Sequence, residues 1–238
     1  MTSARTHFIR WSLAVALVAL LAGCTEPAFY DSAYRGPFFT PKNLIGEPSL
    51  GGLRRVVLLP VCGGALAPEE VVREFDPIFA AALQHENRFE VVTFSREESL
   101  RRFHAAEFSS AAALPRDFLS ALRQEFAADA VLFVDLTVFH PYRPLALGLR
   151  GKLAALDGAR LVWTFDNVFS TDDPAVANAA RRHYLAGDRG GVPTDLSPAA
   201  LQSPNRFAGY AAAAMFATLP PVIAPAPGSA KVSAHRAD

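Results

Sequence analysis

The sequence predicts an α/β domain of α+β character: a mixed β-sheet with a βαβαβ start, an antiparallel hairpin meander and a closing C-terminal helix. Three observations carry this prediction. Three β-rich apolar runs, at 55–61, 89–93 and 130–139, alternate with segments of helical periodicity, which implies crossovers and parallel pairing. The stretch His140-Pro-Tyr-Arg-Pro144 is too short for another crossover, so the next strand returns antiparallel. A last amphipathic segment then follows the hairpin, and the helices are expected on one face of the sheet.

Taken in order, Arg55-Val-Val-Leu-Leu-Pro-Val61 is a buried strand closed by Pro60 and Gly63-Gly64. Gly63-Gly64, between a strand and a helix start, reads either as an anion cradle or as a plain turn. Pro68 opens a helix with Glu69 and Glu70 in its first turn. Val71, Phe75, Ile78, Phe79, Ala82 and Leu83 share its inner face, leaving Arg73, Glu74, Asp76 and Gln84 outward. Phe89–Thr93 is the second strand, and Ser95-Arg-Glu-Glu98 is a capping box starting a short helix through Leu100 and Phe103. Pro115 opens a helix with Phe118, Leu119, Leu122 and Phe126 inward, and Ala130–Phe139 is the third strand.

In the hairpin, Leu145, Leu147, Leu149, Leu153 and Ala155 alternate with Arg150 and Lys152, and Leu161, Trp163, Phe165 and Phe169 alternate back. A three-residue loop of Leu156, Asp157 and Gly158 sets apolar against apolar. That register leaves Arg150 diagonal to Asp166 and Gly151 opposite Trp163. Asp173-Pro174 starts a polar helix ending near Gly187, a Gly-rich loop runs to Pro193, and Ser203-Pro204 starts the last helix with Phe207, Ala211, Ala214 and Met215 on one side.

The N-terminus carries the clearest signal. After Arg5 and Arg10, the apolar run 11–22 falls well short of the ~20 residues a spanning helix needs and reads as a secretory signal peptide. Its end, Leu21-Ala22-Gly23-Cys24, resembles the bacterial lipobox, in which the Cys takes a diacylglyceryl group on its thiol and an N-acyl chain on its amine. The other reading is an ordinary signal peptide with a chance Cys. The division that follows is 1–23 signal peptide, 24–53 lipidated Cys24 and periplasmic tether, 54–219 globular domain, and 220–238 disordered Pro/Ala tail. The tether's Phe29, Tyr30, Tyr34, Phe38 and Phe39 either pack on the chain's own domain, the favoured reading, or dock on a partner.

Lys and Arg number 23 against 23 Asp and Glu, so no global field draws the protein to nucleic acid. With Cys24 lipidated, Cys62 is alone and no internal disulfide forms; it reads as a small buried hydrophobe. No catalytic or metal motif occurs, and the six His are scattered. No cofactor beyond the covalent lipid is expected. Asp135, mid-strand among apolar neighbours, is the one candidate acid, and Asp135, Arg150, Lys152 and Asp166 are candidate interface residues.

Val56-Val-Leu-Leu-Pro60, the helix from Phe75 to Leu83, Arg88-Phe-Glu-Val-Val92, Ala127-Ala-Asp-Ala-Val-Leu132, and the hairpin with Asp157-Gly158 and Leu161-Val-Trp163 resemble a known pattern. It is that of the periplasmic domain of the curli-channel (CsgG), PelC and LpoB lipoproteins and the TolB N-terminal domain, over about residues 54–170. The resemblance implies this architecture and ring formation or docking on partners, and it carries over no catalytic residue. Every alternating stretch here belongs to the soluble sheet, so a membrane-barrel hairpin is not expected. The leading expectation is a non-enzymatic outer-membrane lipoprotein, since Thr25 rather than Asp follows Cys24. It would face the periplasm as an accessory or assembly component of secretion or envelope biogenesis, with homo-oligomer or envelope partners. The alternative is a monomeric tethered lipoprotein regulating a cell-wall enzyme. A hydrolase or transferase is third and calls for a polar pocket around Asp135.

Overall fold

The computed structural model describes residues 31–158, 160–187 and 197–223. The expected signal peptide, Cys24, Phe29, Tyr30, most of the Gly-rich loop and the tail from 224 lie outside the described residues. The chain divides into two compact units, 1–36 and 37–238. In the first, a single turn, α1 (Ser32–Arg35), is capped by Asp31, whose side chain accepts from the Ala33 N–H at 2.9 Å.

The second unit is a mixed α/β domain. Its six strands are β1 (Ile45–Gly46), β2 (Arg55–Leu58), β3 (Glu90–Thr93), β4 (Ala130–His140), β5 (Ala146–Ala155) and β6 (Arg160–Ser170), in the order β1-β6-β5-β4-β2-β3. β2 pairs parallel with β3 and β4, while β4, β5, β6 and β1 pair antiparallel. Helices α2 (Glu69–His85), α3 (Arg96–Phe103), α4 (Phe118–Phe126), α5 (Pro174–Gly187) and α6 (Pro204–Phe216) complete it. The Val-Val-Leu-Leu run is a strand buried on both sides: Val56 and Leu58 enter one core, Val57 and Leu59 the other.

Helices cover both faces, not the single face expected. One carries α2, α5 and α6 over a core that includes Phe75, Phe79, Trp163, Phe165, Phe169 and Phe207. The opposite face carries a second core of Phe94, Phe108, Phe118, Leu122, Val131 and Phe133, with Phe103 of α3 against it. The cause is strand order. β3 and β4 flank β2, so two crossovers of the same hand step in opposite directions across the sheet and fall on opposite faces. The second core ends at Ala154 and Leu156; beyond it on that face, Leu161, Val168 and Ile45 are exposed.

Compact packing begins at Pro37, within the stretch expected as tether. Phe38 lies under the Arg182 guanidinium at 4.4 Å, Phe39 packs edge-on to Phe169 at 5.6 Å, β1 adds to the sheet, and Leu50 is buried. Pro220 and Pro221, expected as tail, also dock: their carbonyls accept from Arg88 Nη1 at 2.9 Å and from the Leu50 N–H at 2.8 Å. Within helices, Val72 is the fully buried residue of α2's first turns, and Val71 packs against the same core partly buried. Leu100 of α3 is exposed, and Ser99 is buried instead with its hydroxyl on the Ala105 carbonyl. α6 buries Ala208 and Ala212 as well as the expected side, because it packs against α2, α5 and β5 together.

The hairpin register differs from expectation. Ala155 pairs with Arg160 across a four-residue turn, which alone would set odd residues against even ones. A bulge beside Leu153 restores parity: Leu153 pairs with Trp163, Gly151 with Phe165, and Arg150 directly with Asp166. Trp163 is therefore diagonal to Gly151, with its ring laid across it; a Cβ there would stand 2.7 Å from Trp163 Cζ3 and Cη2 and 3.3 Å from Met215 Sδ. Trp163 is fully buried and cannot yield. Gly151→Ala is expected to lower unfolding stability by about 1–3 kcal/mol, the cost of overpacking, measured by urea denaturation.

Candidate functional site

Polar side chains gather where β2 ends. Past β2 the chain stays on the sheet: the Cys62 N–H donates to the Val134 carbonyl and the Leu136 N–H to the Cys62 carbonyl, both at 2.8 Å. This is the point at which the strand order reverses, the usual cleft of open α/β sheets. Arg96, in the first turn of α3, is 4% exposed. Its guanidinium donates to both oxygens of Asp76 (2.6 and 3.1 Å), to Glu107 Oε2 (2.8 Å) and to the Val61 carbonyl (2.6 Å). The Val61 N–H donates back to Asp76 Oδ1 at 2.9 Å.

The other oxygen of Glu107 accepts from the N–H groups of Gly63 (3.2 Å) and Gly64 (2.9 Å) and from the Cys62 thiol (3.4 Å). Gly64 is left-handed (φ 53°), a conformation glycine takes freely. Gly63-Gly64 is thus a turn between strand and helix whose N–H groups are taken by the chain's own Glu107 carboxylate. Burial alone would raise Glu107, but the hydrogen bonds from Arg96, Gly64, Cys62 and Gly63 outweigh it and hold the carboxyl below its usual range. Burial, followed by the charge of Glu107, pushes the Cys62 thiol up to about 12. Cys62 is only half-buried, so it is a protonated thiol at a cleft wall rather than a core residue.

On β4, Asp135 is buried, and its carboxylate accepts from the Ser110 N–H (3.0 and 3.2 Å) and the Ser110 hydroxyl. Lys152 Nζ donates to the Ser110 carbonyl at 2.8 Å. Arg150 stands between Asp135 and Asp166 in register and donates to Asp166 Oδ2 at 2.8 Å. The four candidate interface residues therefore share one face across three strands. Ser109 and Ser110 form a strap between two hollows. A cleft of about 230 Å³ is walled by Cys62, Gly63, Asp135, Thr137 and Arg150, and a groove of about 250 Å³ lies on the other side. Among the described residues no group of three metal-ligating side chains occurs.

Sequence reasoning missed Arg96, Asp76, Glu107 and Ser110. Asp76 was expected outward, yet it turns onto Arg96 and Val61. The capping box is present, with Ser95 Oγ accepting from the Glu98 N–H at 3.1 Å, and it gave no sign that the Arg inside it is buried. Cys24 lies outside the described residues.

No protein-family model and no curated protein matches the chain. Among solved structures, similar chains include the PelC dodecamer from Paraburkholderia phytofirmans (13% identity, TM-score 0.42, covering 76% of this chain and 98% of that one). Lipoprotein GNA1162 from Neisseria meningitidis is another (16%, 0.40, 56% and 93%), as is the LpoB C-terminal domain from Salmonella enterica (12%, 0.33, 56% and 87%). Likenesses of this size carry no activity or partner to the present chain.

Two outcomes follow for the Arg96 cluster. Arg96→Met strands two carboxylates that are each about a quarter exposed, and should cost near the lower end of the ~3–5 kcal/mol typical of a broken buried pair, read from chemical denaturation. Because Glu107's folded pKa is depressed, its contribution is complete above the ordinary carboxylate range and is lost as pH falls through the folded value. Melting temperature against pH should therefore decline less on the acid side in Glu107→Gln than in the unmodified chain.

Proposed function

We propose that the protein is a non-enzymatic lipoprotein anchored in the outer membrane through Cys24. Its domain faces the periplasm as an accessory or assembly component of secretion or envelope biogenesis, partnered by envelope proteins or further copies of itself. The observation that carries this reading is Leu21-Ala22-Gly23-Cys24 after a short apolar run and a basic tip. Dual or triple acylation there supplies stable anchoring, where one chain alone is marginal. Among the described residues no helix is long and apolar enough to cross a membrane. The non-enzymatic reading is supported at the strand-order reversal, where Asp135, Glu107 and Arg96 are each engaged by partners within the chain.

The alternative, a monomer reaching a cell-wall enzyme along a tether, has less chain to work with. Phe38, Phe39, β1 and Leu50 all pack within the domain, so this part of the 24–53 stretch does not extend as a tether.

Metabolic labelling with an alkyne palmitate tests the anchor. The unmodified protein should label and pellet with outer membranes; Cys24→Ser should do neither. An unlabelled wild-type chain would reduce Leu-Ala-Gly-Cys to an ordinary signal-peptide end.

A further inference from the structure

We propose that the groove between α4 and β6, on the second face of the sheet, docks an acidic segment of a partner protein: one apolar side chain seats in the groove and its flanking carboxylates meet Lys152 and Arg123. The groove is walled by Leu114, Leu119, Phe133, Ala154 and Leu161, with Lys152 at its edge. No carboxylate lines it. Lys152 has no salt bridge among the described residues, and its Nζ is held in place by the Ser110 carbonyl at 2.8 Å. Arg123 is exposed, also without a described salt bridge, and helical spacing sets it one turn along from Leu119 on the same side of α4. An apolar floor with unpaired cations at its edges is complementary to an apolar residue among acids.

Size selects the occupant. About 250 Å³ lies below the ~300–1,000 Å³ of sites that enclose a cofactor or drug-sized ligand, and it suits one large side chain. A lipid with its headgroup exceeds it. A two-fold contact with a second copy would bring both copies' cations into one interface without supplying a carboxylate from the groove. Beyond the groove, past the Arg150–Asp166 pair, the exposed Val168 lies farther along β6 on the same face, where the rest of a docked segment can lie.

This goes beyond the envelope reading and stands without it: the groove binds or does not, whether or not Cys24 is acylated, so the two tests fail separately. The probe is a fluorescein-labelled Asp-Glu-Phe-Asp-Glu peptide, with Lys-Lys-Phe-Lys-Lys as its counterpart. Anisotropy is read on the full chain in phosphatidylcholine nanodiscs. The acidic peptide should bind, weaken as salt rises, and lose about tenfold or more in affinity with Leu161→Asp, Arg123→Glu or Lys152→Glu. Arg101→Glu, on α3, should leave binding unchanged. Lys152→Glu removes an anchor of Ser110, so each variant's melting temperature is measured, and Leu161→Asp and Arg123→Glu decide if Lys152→Glu is unfolded. Equal binding of both peptides, or of neither, overturns the proposal. So does capture of phosphatidylglycerol vesicles with no peptide binding, or a self-dimer whose cross-links run through Leu161.

Discussion

The buried guanidinium of Arg96 is the interaction on which the second face depends. It joins the end of β2 through the Val61 carbonyl, α2 through Asp76, and the loop after α3 through Glu107. Glu107 extends the connection to the turn at Gly63 and Gly64. Burial of an ion pair is weak evidence for stability in itself, since desolvation offsets much of the attraction. Here the two carboxylates keep some water, and every strand-end amide they meet adds a charge-assisted bond. The gain is in geometry: the cluster fixes where α3 and its following loop cross the sheet. That placement closes Phe94, Phe103, Phe108 and Phe118 into one edge-on and tilted aromatic layer.

Asp135 acts at the far side of the same layer. Its carboxylate holds Ser110, and Lys152 holds the carbonyl of the same residue, so the loop is fastened at two carboxylates of unlike setting. Glu107 is partly wet and neutralised by Arg96; Asp135 is buried and satisfied by an N–H and a hydroxyl. Arg150, its register neighbour, turns instead to Asp166 at a half-exposed pair, worth little to folding. A charge that contributes little to stability is free to serve recognition.

Strand identity was legible because period-two patterning is local. Val56 to Leu58 and the odd residues of β5 declare their faces without reference to any distant residue. Register was not, because one bulge beside Leu153 shifts every later pair, and nothing in Leu161-Val-Trp163 marks which residue is extra. The Arg96 cluster was illegible for a related reason. Asp76, Arg96 and Glu107 each sit on a locally polar helix face or loop, and only the fold, which brings them together past the end of β2 at the Val61 carbonyl, makes them neighbours. The candidate residues of the hairpin face were found because Arg150, Lys152 and Asp166 break an apolar alternation on consecutive strands.

The two faces of one sheet thus carry different duties by topology. Opposed crossovers cover β3, β2 and β4 on both sides, whereas β5, β6 and β1 descend from a hairpin, which brings no helix with it. Their second face is left to side chains alone. At the covered end, cations and anions are matched inside the chain: Arg96 with Asp76 and Glu107, the glycine amides with Glu107, Ser110 with Asp135. At the uncovered end, Lys152 and Arg123 have no salt bridge among the described residues, and Leu161 and Val168 keep contact with water. A protein whose charges are matched internally at the strand-order reversal, while Lys152 beside a bare hairpin face has only a backbone carbonyl for a partner, has its capacity for recognition displaced from the cleft where such folds usually bind to the flank the hairpin leaves open.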